Sequence, residues 1–193
     1  MDGEMNHRQS IERMWDEHLH VATALRSLAP EVDQVVTMIA RSMAAGGTLL
    51  ACGNGGSAAD AQHITAELTG RFFRDRKPLR ALALHANTSS LTAIGNDYGY
   101  DEVFAREVGA HGREGDILLA ISTSGNSRNV LRAIDVAREK RMVVIGLTGE
   151  QGGKMRDLCD VCLRVPSSST PRIQECHILL GHTICELLEQ ILC

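Results

Sequence analysis

The stretch LACGNGGSAADAQHITAELTGR, residues 50–71, runs from an apolar segment through a glycine-rich turn into a helical pattern. A buried strand, a tight turn and a helix in that order make the unit from which parallel α/β sheets are built. The turn, Gly53-Asn54-Gly55-Gly56-Ser57, can present backbone N–H groups to an anion. Further along the helix come His63 and Glu67, four residues apart and so on one face. An imidazole and a carboxylate placed together can take a metal ion or a proton. One short segment can thus hold an anionic small molecule and act on it.

The same alternation continues outward. Apolar runs of strand length lie at 48–51, 79–84, 117–121, 142–147 and 161–165, and helical patterns fill the gaps near 57–70, 101–110, 126–140 and 172–192. Near-continuous apolar strands between helices predict a parallel sheet covered on both faces, a three-layer αβα sandwich. Two helical patterns precede it, at 8–28 and 31–45. Ile11, Met14, Trp15, His18, Leu19, Ala22 and Leu25 recur there at helical spacing, Pro30 divides the two, and Gly46-Gly47 ends the second. Parallel sheets bind ligands at the carboxyl ends of their strands. That rule selects three polar loops, 52–57, 85–97 and 122–127.

Composition narrows the function. The 193 residues predict one domain. A net charge of -4 supplies no basic field for nucleic acid. No apolar run approaches the ~20 residues that span a bilayer, and the opening MDGEMNHRQS has no signal-peptide apolar region. A cytoplasmic protein is expected, with neither nucleic acid nor membrane as partner. Six cysteines do not make a disulfide scaffold in a chain of this length. Cys159-x-x-Cys162 admits half a zinc site or a redox pair. No second pair follows, and DLCDVCLRV reads as a strand, so reduced structural thiols are expected.

The loops differ in what they can bind. The 53–57 turn is not a P-loop, because no Gly-Lys-Ser/Thr follows. Gly53, Gly55 and Ala58 fit a loose dinucleotide pattern, but the next strand ends in His85-Ala86-Asn87 without the acid that a ribose needs. The 122–127 loop, Ser-Thr-Ser-Gly-Asn-Ser, collects hydroxyls and N–H groups at a helix N-terminus, which suits a phosphate. A helix cap needs one such residue, not a run of them. Asn96-Asp97 lies in a Gly/Asn/Asp-rich turn, where a turn role and a ligand role both stand open. On the last helix, from Pro171, Gln174 and His182 are eight residues apart and can share a broad face. Singly, His182 among Leu179, Leu180, Ile184 and Leu187 reads as a core histidine, and Glu67 as a surface residue.

Together the motifs CGNGGSAADAQHITAEL, LTAIGNDYGY, AISTSGNSRNVL, LTGEQGGKM and TPRIQECHILLGH resemble the sugar isomerase (SIS) domain proteins, in order, from about Gly46 to the end of the chain. The resemblance implies a single SIS domain over 1–193, of flavodoxin or Rossmann-like αβα form with a five-stranded parallel sheet. It implies a homotetramer with active sites between subunits, residues 1–45 packing on the domain and on neighbouring subunits. It implies that Asn54, Gly55, Gly56, Ser57, Asn96, Asp97, Ser122, Thr123, Ser124 and Ser127 bind a sugar phosphate, with Glu67, Gln174 and Arg71 also on the substrate. Arg71 is expected one helical turn after Glu67, on the same face. The resemblance further implies one Zn2+ per subunit on His63, Glu67, Gln174 and His182, with Glu67 and His182 carrying the proton chemistry. The activity it implies is aldose–ketose isomerisation of sedoheptulose 7-phosphate to D-glycero-D-manno-heptose 7-phosphate, the first step toward ADP- or GDP-heptose.

Three other readings compete. A sister group of SIS tetramers binds the DnaA replication initiator but lacks the glutamate matching Glu67, and a scaffold has no chemical need for Glu67, Gln174 and His182 together. An SIS isomerase for another sugar phosphate uses the same loop chemistry. A sugar-sensing regulator calls for a DNA-binding module, for which the sequence gives no sign.

Overall fold

The computed structural model describes residues 6–193. Helix α1 (His7–Ala24) opens on a capping box, with the Asn6 side chain accepting from Gln9 N–H and the Gln9 side chain accepting from Asn6 N–H. A 3-10 turn at Leu25–Leu28 leads into α2 (Ala29–Ala44), which carries Pro30 in its first turn. Then follow β1 (Leu49–Cys52), α3 (Gly56–Thr69), β2 (Ala81–Ala83), α4 (Thr88–Tyr98), α5 (Val103–His111), β3 (Ile117–Ile121), α6 (Arg128–Glu139), β4 (Val143–Gly149), β5 (Val161–Val165) and α7 (Thr170–Leu192).

All five strands are parallel, in the order β2-β1-β3-β4-β5. Successive strand residues point to opposite faces, and each face meets its own helices. Leu49 and Ala51 of β1, with Leu119 and Ile145, pack under α2, α3 and α7 through Val35, Ile39, Ile64, Leu68 and Leu188. Leu50 and Cys52, with Leu118 and Val144, pack under α5 and α6 through Phe104, Val108, Val130 and Ile134. The three-layer expectation holds. The first five residues of the expected N-terminal span lie outside the described residues.

One expected loop is a helix. Residues 85–97 are mostly taken up by α4, whose N-cap Asn87 accepts from Ser90 N–H at 3.2 Å. The segment TSSLTAIGNDY is rich in weak helix formers and buries no residue fully, which hides the helix in sequence. Leu91 and Ile94, three apart, hold it against the α5–α6 core. β2 is also shorter than its apolar run, as an edge strand paired only with β1.

The strand order reverses between β1 and β3. The loops that leave these neighbouring strands therefore run apart on opposite faces of the sheet and open a crevice at their carboxyl ends.

Candidate active site

The crevice is closed at its base by an amide pair. Asn54 Nδ2 donates to Asn129 Oδ1 at 2.9 Å, and Asn129 Nδ2 donates to Asn54 Oδ1 at 2.8 Å. Tyr100 Oη donates to the same Asn54 oxygen at 3.2 Å. The loop after β1 is thereby tied to the start of α6. Gly55 turns with φ +57, in the region that favours glycine, and serves as N-cap of α3 with no side chain over the helix end. Gly56 lies against Gln174: a Cβ there would stand 2.5 Å from Gln174 Nε2. Ser57 is buried, close under Gly53.

The serine loop after β3 leaves the start of α6 without a side-chain cap. Ser127 occupies the N-cap position of α6, yet its side chain makes no capping bond. Its hydroxyl instead lies 2.9 Å from that of buried Ser122. Ser124 Oγ accepts from Asn126 N–H at 3.2 Å. The loop is braced from behind by a 3-10 segment, Gly153–Asp157. There Met155 N–H donates to Gly125 O and Lys154 N–H to Asn126 Oδ1, both at 3.1 Å. A cavity of about 300 Å³ lies beside the loop, lined by Thr123, Ser124, Asn126, Glu150 and Ser167 among others.

Three potential metal-ligand side chains, His63, Glu67 and His182, meet where α3 packs on α7. Gly181 permits the close approach, since a Cβ there would meet Ile64 at 2.7 Å. His63 Nε2 lies 3.2 Å from Glu67 Oε1 and 3.3 Å from His182 Nε2. The donor atoms of His63, Glu67 and His182 all lie within 4.8 Å of one another. Two imidazoles and a carboxylate turned toward a common point fit a zinc ion with one coordination position left open. Phe72 lies beside His182, with ring centroids 5.6 Å apart.

The other expected residues fall elsewhere. Gln174 stands about 12 Å before His182 along α7, from the rise of a helix, and its amide is turned to Gly56 rather than to the three donors. Periodicity put the two on a shared face but ignored the axial distance. Arg71 is not on the face of Glu67, because α3 stops at Thr69 and Gly70 takes φ -85 and ψ -110. The Arg71 guanidinium donates instead to Phe73 O at 3.5 Å. Asn96 and Asp97 lie on the last turn of α4, exposed, with Asn96 Nδ2 donating to Asp97 Oδ1 at 2.7 Å.

Four residues escaped the sequence reading. Asn129 and Tyr100 hold Asn54, but no local pattern marks them. Asp60 does carry a signal, since it shares the α3 face of His63 and Glu67 at i, i+3 and i+7. Burial raises its carboxyl to about 6, against the pull of His63. Glu189 is buried on α7 and gathers the chain that leaves α3. It accepts from the N–H groups of Phe72, Phe73 and Arg74 and from Arg76 Nε.

A five-stranded parallel sheet with a hydroxyl loop at its switch point defines the class. The chain belongs to the SIS domain family, whose model matches residues 16–149. Among its relatives it is similar to the phosphoheptose isomerase of Rhodospirillum rubrum, 57% identical over 169 residues, which cover 88% of this chain and 90% of that protein. It is 50% identical to the phosphoheptose isomerase of Helicobacter hepaticus over 93% of this chain and 91% of that one. The solved phosphoheptose isomerase of Neisseria gonorrhoeae superposes with a TM-score of 0.91 at 44% identity, over 96% of this chain and 100% of that one. Within the SIS family the chain stands with the phosphoheptose isomerases.

Proposed function

We propose that the chain interconverts sedoheptulose 7-phosphate and D-glycero-D-manno-heptose 7-phosphate, the aldose–ketose isomerisation that opens heptose precursor biosynthesis. The observation that carries the reading is the convergence of His63, Glu67 and His182 on one point within a fold shared with phosphoheptose isomerases. In this reading Ser122, Thr123, Ser124 and Ser127 hold the terminal phosphate at the start of α6. Asn54, Gly55, Gly56 and Ser57 let the sugar approach the backbone, with Arg71, Asn96 and Asp97 as further substrate contacts. Binding energy at the remote phosphate orients C1 and C2.

Isomerisation moves a proton between adjacent carbons of the open-chain sugar through an enediol. Glu67 removes the C1 proton and returns it to C2. Its Oε1 faces His63, which leaves Oε2 for the transfer. His182 relays the proton between the two oxygens. His63, Glu67 and His182 would hold the zinc, which when bound supplies Lewis-acid polarisation of the carbonyl. Gln174, set against Gly56, would contact the substrate and would be the fourth member of the ligand set that the family resemblance implies. Ile11, Met14, Trp15 and Leu19 of α1 are exposed apolar side chains and support a homotetramer with sites between protomers. Among the described residues no helix is long and apolar enough to cross a membrane. The charged sugar phosphate supports a place in the cytoplasm.

The test is to incubate the protein with sedoheptulose 7-phosphate and follow the aldose by NMR, with ribulose 5-phosphate and fructose 6-phosphate as controls. Selective formation of the heptose is expected. Faster conversion of either control would redirect the assignment to another sugar phosphate.

A further inference from the structure

Cys159 and Cys162 lie outside the isomerase site, and nothing in its chemistry uses them. They flank Asp160-Val161, one just before and one just inside β5. Asp160 is fixed to β4 twice, its N–H donating to Val144 O at 2.9 Å and its Oδ2 accepting from Val144 N–H at 2.7 Å. With the turn held there, both thiols fold onto one spot. A Cβ on Gly146 of β4 would stand 2.8 Å from Cys159 Sγ and 3.2 Å from Cys162 Sγ. The missing side chain of Gly146 is what makes room for two sulfurs side by side. Thr148 Oγ1 lies 3.5 Å from Cys162 Sγ. Both thiols are half-buried, whereas Cys52, Cys176 and Cys185 are sealed in the core. Hydrogen bonding with Cys159, helped by Thr148, Arg164 and Arg156, holds the Cys162 thiol below its ordinary range despite burial. The same bond raises Cys159. The Thr148 hydroxyl and the Arg164 and Arg156 charges act on Cys162, which makes it the attacking sulfur.

We infer that Cys159 and Cys162 form a reversible dithiol–disulfide couple just after the segment that braces the serine loop. The oxidant is a low-molecular-weight disulfide of the glutathione type. The Cys162 thiolate attacks one of its sulfurs, and the other leaves as a thiolate that takes up a proton. Cys159 then loses its proton and attacks the Cys162 sulfur of the mixed disulfide, releasing the second thiol. Two electrons pass to the oxidant, one S–S bond breaks and one forms. Two backbone bonds join the couple to the serine loop: Cys159 N–H donates to Met155 O at 3.0 Å, and Met155 N–H donates to Gly125 O.

The intact protein is equilibrated with oxidised glutathione, quenched with iodoacetamide and digested for mass spectrometry. The peptide carrying both cysteines loses two hydrogens and resists alkylation, and dithiothreitol restores it. In Cys159→Ser the reaction stops at a glutathione adduct on Cys162. Equal alkylation before and after oxidation, or a wild-type protein that halts at the adduct, would overturn the couple. The mass readout stands apart from the isomerase reading. The link to the serine loop rests on that reading and has its own measure. Oxidised wild type changes KM for the sugar phosphate by roughly 2-fold or more, while the Cys159→Ser/Cys162→Ser protein treated alike does not; an unchanged KM would overturn the link.

Discussion

His63 and His182 present ring nitrogens to each other at 3.3 Å although 119 residues separate them in the chain. Two ring nitrogens at that distance share at most one proton, and the Glu67 carboxylate adds a further acceptor at the same point. A divalent cation satisfies all three at once. His182→Ala removes one of the three donors. Zinc affinity, measured by titration of metal-stripped protein, should fall about 100-fold or more, while the circular dichroism spectrum stays that of wild type. Unaltered affinity would remove His182 from the metal site.

Glu67→Gln keeps the shape of the side chain and removes its basicity. Turnover should fall by ~10²–10⁴, and exchange of the sugar C1 proton with deuterated solvent should fall with it. The thermal midpoint should stay within a degree or two, since Glu67 is partly exposed and is not needed by the core. Normal exchange in this variant would assign the base to another group, and Asp60, two turns earlier on α3, would be the next candidate.

How far the sequence could be read depends on where the information lies. Strands such as ILLAI at 117–121 declare themselves because both faces are buried, and the run stays apolar without a break. The 2-1-3-4-5 order, by contrast, comes from non-local pairing that no local run encodes. His63 and Glu67 were legible as a pair because helical spacing alone makes them neighbours. His182 joins them through the α3–α7 contact at Ile64 and Gly181, a packing event with no local pattern. Helix α4 was missed because its residues are weak helix formers, and it is held by a cap and two apolar contacts rather than by propensity. Arg71 was misplaced because one glycine, Gly70, takes the chain out of the helix a residue before it.

Gly125 and Gly56 provide a paired test of the two loops. A Cβ on Gly125, at φ +65, would meet the carbonyl oxygen of Gly152 at 2.0 Å, and backbone cannot step aside without moving the brace of the serine loop. On Gly56 it would meet only the far end of the Gln174 side chain. Gly125→Ala should cost more than about 1 kcal/mol of stability and raise KM for the sugar phosphate. Gly56→Ala should leave unfolding nearly unchanged and act on the site alone. Chemical denaturation of the two variants, with kinetics alongside, separates these effects. Equal losses of stability would mean that the serine loop is not braced from behind.

Glu189 gives the fold a dependence on acid. Burial pushes its carboxyl up, but the three N–H groups of Phe72, Phe73 and Arg74 and the Arg76 guanidinium outweigh burial and hold it down at about 2. The unfolded chain offers a glutamate an ordinary value of roughly 4.3. A folded value below the unfolded one means that the unfolded state binds the proton more readily. The stabilisation from Glu189 is therefore fully present above about pH 5 and is lost as pH falls from about 4.3 towards 2. Replacing the carboxylate strands the Arg76 guanidinium, whose side chain is only 4% exposed, without its counter-charge. Glu189→Gln should cost about 3 kcal/mol at neutral pH. The gap to wild type in urea unfolding should stay level between pH 7 and about 5, then narrow as pH approaches 2. A gap that stays constant down to the lowest pH would show that Glu189 acts by shape and not by charge. The same variant should also weaken catalysis at neutral pH, because the loop that Glu189 gathers sets Phe72 against His182.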